Sequence, residues 1–202
     1  MLFNSYIFIL AFLPVTLAGY FGLARLFRKL PLNKIWLVGC SLVFYAYFNV
    51  RYLPIIVLSI LVNYALSQGM LAARGKGVRA LLLAVGLLGN LGVLGYYKYY
   101  DFFVQNVNAL AGTSFVLHSL VLPLGISFYS FAAIAYLIDA ARGDCEVEKS
   151  PLRYALFLMF FPTVTQGPIP RAGQLIPQLV QEHRFDAART VRALRLYALG
   201  LF

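Results

Sequence analysis

The chain has 202 residues, 61% of them hydrophobic and only 12% charged, and its mean hydropathy is +0.79. A soluble domain is about half apolar and about a quarter charged, so these few charges cannot cover that much apolar surface in water. The net charge of +10 is scattered in short clusters between apolar runs, which argues against nucleic acid as a partner and fits Lys and Arg held in cytoplasmic loops.

A membrane-crossing helix needs about 20 mainly apolar residues. Tyr6–Phe27 is the first such run, and residues 1–24 carry no Lys or Arg. Without a positive start, and with a run too long for a signal peptide, it reads as a retained span. Ile35–Phe48 follows, short unless Asn49–Tyr52 extends it, and then Leu53–Ala72 and Ala80–Tyr97. Tyr99–His118 reads as the longest external loop, opening in a tyrosine-rich belt. Leu120–Ala140 is the fifth run. None alternates as a strand would, so the expected fold is all-α, a polytopic transmembrane helical bundle.

Arg25, Arg28, Lys29 and Lys34 separate the first two runs; Arg74, Lys76 and Arg79 separate the third and fourth; Arg142, Lys149 and Arg153 follow the fifth. The opposite loops hold only Arg51 and Lys98. The positive-inside rule therefore expects a periplasmic N-terminus and these three clusters in the cytoplasm.

Leu152–Ile169 is apolar but interrupted by Pro162, Gly167, Pro168 and, just beyond, Pro170, with basic residues on both flanks. Two cytoplasmic ends do not fit one crossing. The expectation is a re-entrant element over about 152–171; a full sixth crossing is the alternative. Irregular backbone at membrane depth persists where protein or a water-filled cavity satisfies its freed polar groups. Thr163, Thr165 and Gln166 are accordingly expected to line an internal cavity. Cytoplasmic-side helices are expected over 173–202, with Arg189, Arg192 and Arg195 forming a basic stripe that either lies on an anionic membrane surface or begins a further span. The chain reads as one membrane domain over 1–202, stopping at Phe202 within an apolar stretch, as a longer protein's N-terminal part would.

No residue set completes a catalytic constellation. His118 and His183 read as solvated loop histidines, His118 without a neighbouring carboxylate. Asp139 lies three residues from Arg142, where an i,i+3 ion pair is the simpler reading. Asn63 and Asn90 sit deep in two spans and are expected to hydrogen-bond between helices. Cys40 and Cys145 have neither disulfide density nor metal-ligand spacing, and no metal site is expected.

Two segments, LPLGISFYSFAAIAYLIDAARG (Leu122–Gly143) and FFPTVTQGPIPR (Phe160–Arg171), resemble the paired signatures of the membrane-bound O-acyltransferase family. The opening MLFNSYIFILAFLP resembles the family's bacterial branch, which holds the alginate O-acetyltransferase membrane subunit and the teichoic-acid D-alanylation protein. The resemblance implies transfer of an acyl group across the inner membrane to a polysaccharide, from acetyl-CoA or another acyl thioester with no resident cofactor. It further implies a periplasmic acetyltransferase and polysaccharide-modification complex as partners, besides membrane lipid. Pro162, Gln166, Gly167, Pro168 and Arg171 match the family's re-entrant element, and Gly125, Ser127 and Tyr129 the preceding helix. The substrate-channel candidates are thus Thr163, Thr165, Gln166, Gly167, Pro168, Arg171, Tyr129 and Ser127. The family's catalytic histidine is expected beyond Phe202, which would leave this stretch inactive alone. D-alanine transfer to teichoic acid is the alternative within the family. A transporter or flippase is an alternative outside it, as is a non-catalytic membrane scaffold with no cavity at Thr165–Gln166.

Overall fold

The structure, a computed structural model, describes residues 3–27, 31–118, 120–165, 169–181 and 185–201. It is helical, with no strand among the described residues. A π-helical turn, Phe8–Phe12, leads into α1 (Leu13–Leu26). Pro14 has no amide hydrogen for the regular ladder, and the Leu13 N–H reaches back to the Phe8 carbonyl, which widens the turn. Helix α2 (Leu32–Phe48) runs back beside α1. The Asn49 side chain then accepts from the Arg51 N–H at 3.0 Å and caps a 3₁₀ turn, Val50–Tyr52, from which α3 (Leu53–Ala72) starts with Pro54 in its first turn. Phe8–Leu26, Val50–Ala72 and Lys76–Ala111 are long and apolar enough to cross a membrane, and Leu32–Phe48 is a shorter apolar helix. The chain is a membrane protein.

Helix α4 (Lys76–Ala111) is 36 residues long, about 54 Å by helical rise. This corrects two expectations. The fourth span does not end at Tyr97, and the first half of the supposed loop Tyr99–His118 is helix. The physical reason lies in the sequence: no proline interrupts 76–111, and the helix stops only where Gly112 adopts φ +64. The fifth span starts later than expected, because Pro123–Gly125 form a turn and α5 covers Ile126–Arg142. Gly125 has φ +66, a conformation L-residues avoid.

Helices α3, α4 and α5 pack together. Gly86 lets α4 approach Leu137 of α5 closely, since a Cβ there would press on the Leu137 side chain. Asn63 and Asn90 exchange amide hydrogen bonds at 3.2 and 2.7 Å, and each also donates to its own helix, at the Ser59 and Gly86 carbonyls. This is the expected interhelical pair. An Arg79 guanidinium N–H donates to the Ala140 carbonyl near the end of α5, where the helix dipole favours a cation. The expected Asp139–Arg142 pair is absent. The sole ion pair among the described residues joins Arg153 to Glu148, and the exposed Arg142 head stays outside the packing.

The segment after α5 is tied down at almost every step. Glu148 is 7% exposed, receives Arg153 through both oxygens at 3.0 and 2.7 Å, and accepts the Ser150 N–H. Its own N–H donates to the Tyr136 hydroxyl, its carbonyl accepts from Gln68, and the Lys149 carbonyl accepts from Tyr64. The Ser150 side chain caps α6 (Pro151–Met159).

Candidate functional site: the broken helix and its cavity

Helix α6 ends at Phe160, whose ψ of 115° leaves helical geometry, and a single turn, α7 (Phe161–Val164), follows with Pro162 in its first positions. A helix could not run straight through Phe160–Pro162, because the proline ring clashes with the preceding turn and offers no donor. The break frees polar groups, and neighbours take them up. The Phe161 N–H donates to Ser41 Oγ of α2 at 3.3 Å, and Thr163 Oγ1 donates to the Phe160 carbonyl at 3.2 Å. The Phe161 ring fills a cage of Phe8, Phe12 and Phe44, with ring centroids 5.1–6.1 Å away. Beyond the turn, α8 (Ala172–Val180) packs back against α6, burying Ala172.

The head of α5 meets the same turn. Gly125 lies so close to the Val164 carbonyl that any Cβ would overlap its oxygen. The two segments that carry the family resemblance therefore touch, through backbone.

Helix α9 (Ala187–Leu201) stands opposite. At one end Phe185 packs edge-on against Phe21 of α1; at the other the Tyr197 hydroxyl donates to the Phe3 carbonyl. Between α1, α2, the broken segment, α8 and α9 lies a cavity of about 1410 Å³. Phe3, Phe8, Leu13, Leu124, Phe160 and Tyr197 wall one end; Tyr20, Lys34, Gln178, Asp186 and Arg189 line the other. Thr16 and Thr165 sit on the wall with buried hydroxyls that have no hydrogen-bond partner among the described residues. A buried hydroxyl left unpaired costs free energy, and both of these belong to residues that line the cavity.

The sequence-predicted residues separate in space. Thr165 lines the cavity, but Thr163 does not; its hydroxyl is used on the backbone. Gln166, Gly167 and Pro168 lie outside the described residues, as does His183. Arg171 is exposed at the head of α8, away from the cavity lining. Ser127 is half-buried on α5, and Tyr129 is buried in the core, its hydroxyl beside that of Tyr45. His118 lies at the far end of α4, its ring stacked on Tyr100 at 4.6 Å. A carboxylate does neighbour it, against expectation: Asp101 accepts the His118 backbone N–H at 2.9 Å from 17 residues upstream. That contact engages the backbone and leaves the imidazole outside any acid–base pair. Thr16, Ser41 and the Phe8–Phe12–Phe44 cage were not singled out in the sequence, where a hydroxyl inside an apolar run looks like filler. No group of metal-ligating side chains occurs among the described residues.

No family model and no solved structure matches the chain. Curated relatives do. The peptidoglycan O-acetyltransferase of Helicobacter pylori is 35% identical across the whole chain, which spans 43% of that protein. The probable alginate O-acetylase of Pseudomonas putida is 36% identical over 88% of the chain, spanning 37% of that protein. The chain belongs to the membrane-bound O-acyltransferase family. A further family relative, the teichoic acid D-alanyltransferase of Bacillus subtilis, matches over 60 residues at 37% identity, 29% of the chain and 15% of that protein. This membrane-bound O-acyltransferase chain thus spans less than half the length of the relatives it matches.

Proposed function

We propose that the protein to which this chain belongs O-acetylates an exported or cell-surface polysaccharide of the peptidoglycan or alginate kind. The observation that carries this reading is the match, over nearly all the chain, to two O-acetyltransferases that act on different polymers. D-alanine transfer is the weaker reading, since that relative matches over only 29% of the chain.

The cavity would serve as the acyl passage. With the protein in the inner membrane and its N-terminus in the periplasm, the Lys34–Arg189 end opens toward the cytoplasm. Arg189 at that end, with Asp186 and Lys34 beside it, would meet the anionic part of an acyl thioester such as acetyl-CoA. The phenylalanine-lined end would keep water from the thioester carbonyl, lowering the chance of hydrolysis. Thr165 and Thr16 would donate hydrogen bonds to that carbonyl oxygen as it passes. The transfer itself would use a histidine outside this chain, with a periplasmic acetyltransferase and its polysaccharide-modification complex receiving the acetyl group.

The test is Thr165→Val in the full-length protein, a change that keeps shape and removes one donor. Cell-surface polysaccharide acetylation is expected to fall about tenfold, the effect of roughly 1.4 kcal/mol, while protein level and thermal stability hold. Unchanged acetylation at normal protein level rejects the passage.

A further inference from the structure

The far end of α4 does not behave as a water-exposed loop. Along α4, Val78, Leu81, Val85 and Leu88 share one outward face, and Tyr96, Tyr99, Phe103, Val107 and Leu110 continue it without a turn of the stripe. Phe103 is 63% and Leu110 89% exposed. After Gly112 the chain folds back along the opposite face of α4. The Asn108 side chain accepts the Phe115 N–H at 2.9 Å and donates to the Phe115 carbonyl, while Asp101 accepts the N–H groups of His118 and Leu120. Asp101 and Asn108 of α4 are thereby taken up by the return segment, which presents Phe115, Val116 and Val121 outward. Between Tyr99 and Leu122 the only charged side chain is Asp101.

We propose that this hairpin, 99–118 with 120–122, is immersed in the lipid leaflet at the end of the bundle opposite the basic loops. Three observations favour lipid over a soluble partner. The outward stripe is continuous with the lipid-facing stripe of the same helix. Internal hydrogen bonds serve the Phe115, His118 and Leu120 N–H groups, and the polar headgroup layer can serve the other amides of the return segment, which hydrocarbon could not. The lengths also match: Val78 to Leu110 is about 48 Å of helix, and a bilayer with its headgroups is about 40–45 Å thick. A tilt of about 25°, inside the ordinary range, brings the stripe within that thickness. Tyr96, Tyr99 and Tyr100 then lie below the tip instead of bounding the membrane. The inference does not depend on acyl transfer.

The test uses the full-length protein in phosphatidylethanolamine–phosphatidylglycerol vesicles, with Cys40 and Cys145 replaced by Ala and nitroxide labels at Phe103→Cys or Leu110→Cys. Leu88→Cys serves as the lipid control and Glu146→Cys as the water control. Both hairpin labels are expected to give an oxygen-to-nickel collision ratio above that of Glu146→Cys and at or below that of Leu88→Cys, higher at Phe103→Cys than at Leu110→Cys. A ratio as low as that of Glu146→Cys overturns the proposal, because the hairpin is then in water. Exclusion of both quenchers overturns it too, because protein then covers the hairpin, whether a partner or a second copy. If the cysteine-free background fails to fold, Phe103→Trp in the native chain answers the same question through quenching by brominated phosphatidylcholine, measured against the parent with Trp36 alone. Strong quenching of the added tryptophan is expected; its absence rejects lipid immersion.

Discussion

On the α3–α4–α5 side, the Asn63 and Asn90 amides meet across helices and an Arg79 N–H meets the Ala140 carbonyl, while the Arg79 Nε and the Tyr129 hydroxyl are left without a partner among the described residues. On the α1–α7 side, around the cavity, the Thr16 and Thr165 hydroxyls meet none among the described residues. Both regions are apolar stretches of one chain, so composition does not explain the contrast. The first side uses its polar groups to hold helices together. The second carries them on residues that line a hollow.

The contrast can be attacked where the two regions join. Gly125→Ala combines a left-handed backbone with overlap onto the Val164 carbonyl oxygen. It is expected to cost about 3 kcal/mol or more, read as a lower melting temperature in detergent and as lost acetylation. A variant as stable as the parent would mean that the α5 head does not brace the broken helix. Gly19→Ala comes next. Its methyl would overlap the Trp36 ring, whose indole N–H bonds the Thr16 carbonyl at 3.1 Å. A loss of about 2 kcal/mol is expected, and acetylation should fall more than stability if the Thr16 wall shifts.

The scaffold side is tested by Asn63→Leu and Asn90→Leu. Each single change strands an amide and should cost about 1 kcal/mol, while the double change should cost clearly less than their sum. Additive losses would show that the two amides are not coupled. The smallest effect belongs to Cys145, outside the spans. Burial first, then the Asp139 and Asp144 carboxylates, push its thiol up to about 11. Its thiolate at pH 8 should be on the order of a hundredfold scarcer than that of a free cysteine, so iodoacetamide should label it correspondingly slowly. Unfolding returns the thiol to its lower ordinary value, so this group's contribution to stability is present below that value and is lost as pH climbs toward 11. Fast labelling of the folded protein at pH 8 would place Cys145 outside the packed loop.

Helix class, the broken element and the Asn63–Asn90 pair were legible because each has a local signature: an apolar run, a Pro/Gly cluster, an amide at membrane depth. The length of α4 was misread because Asp101, Gln105 and Asn108 look like a loop until the return segment that uses two of them is seen. Half of the candidate site was readable. Thr165 sits beside the prolines that expose it, whereas Thr16 comes from α1, 149 positions earlier in the numbering, and nothing local distinguishes it from its neighbours. Thr163 and Thr165 look alike in sequence; in the structure Thr163 bonds the Phe160 carbonyl and Thr165 lines the hollow.

The knot around Glu148 has a mechanical consequence. With both carboxylate oxygens, its amide and its carbonyl all engaged, the root of α6 is clamped to α3 and α5 and has no freedom to slide or swivel. Any displacement at Thr165 would have to be taken up beyond Met159, at the Phe160 joint. The element is a short arm whose base is braced at Glu148 and whose bend lies at Phe160.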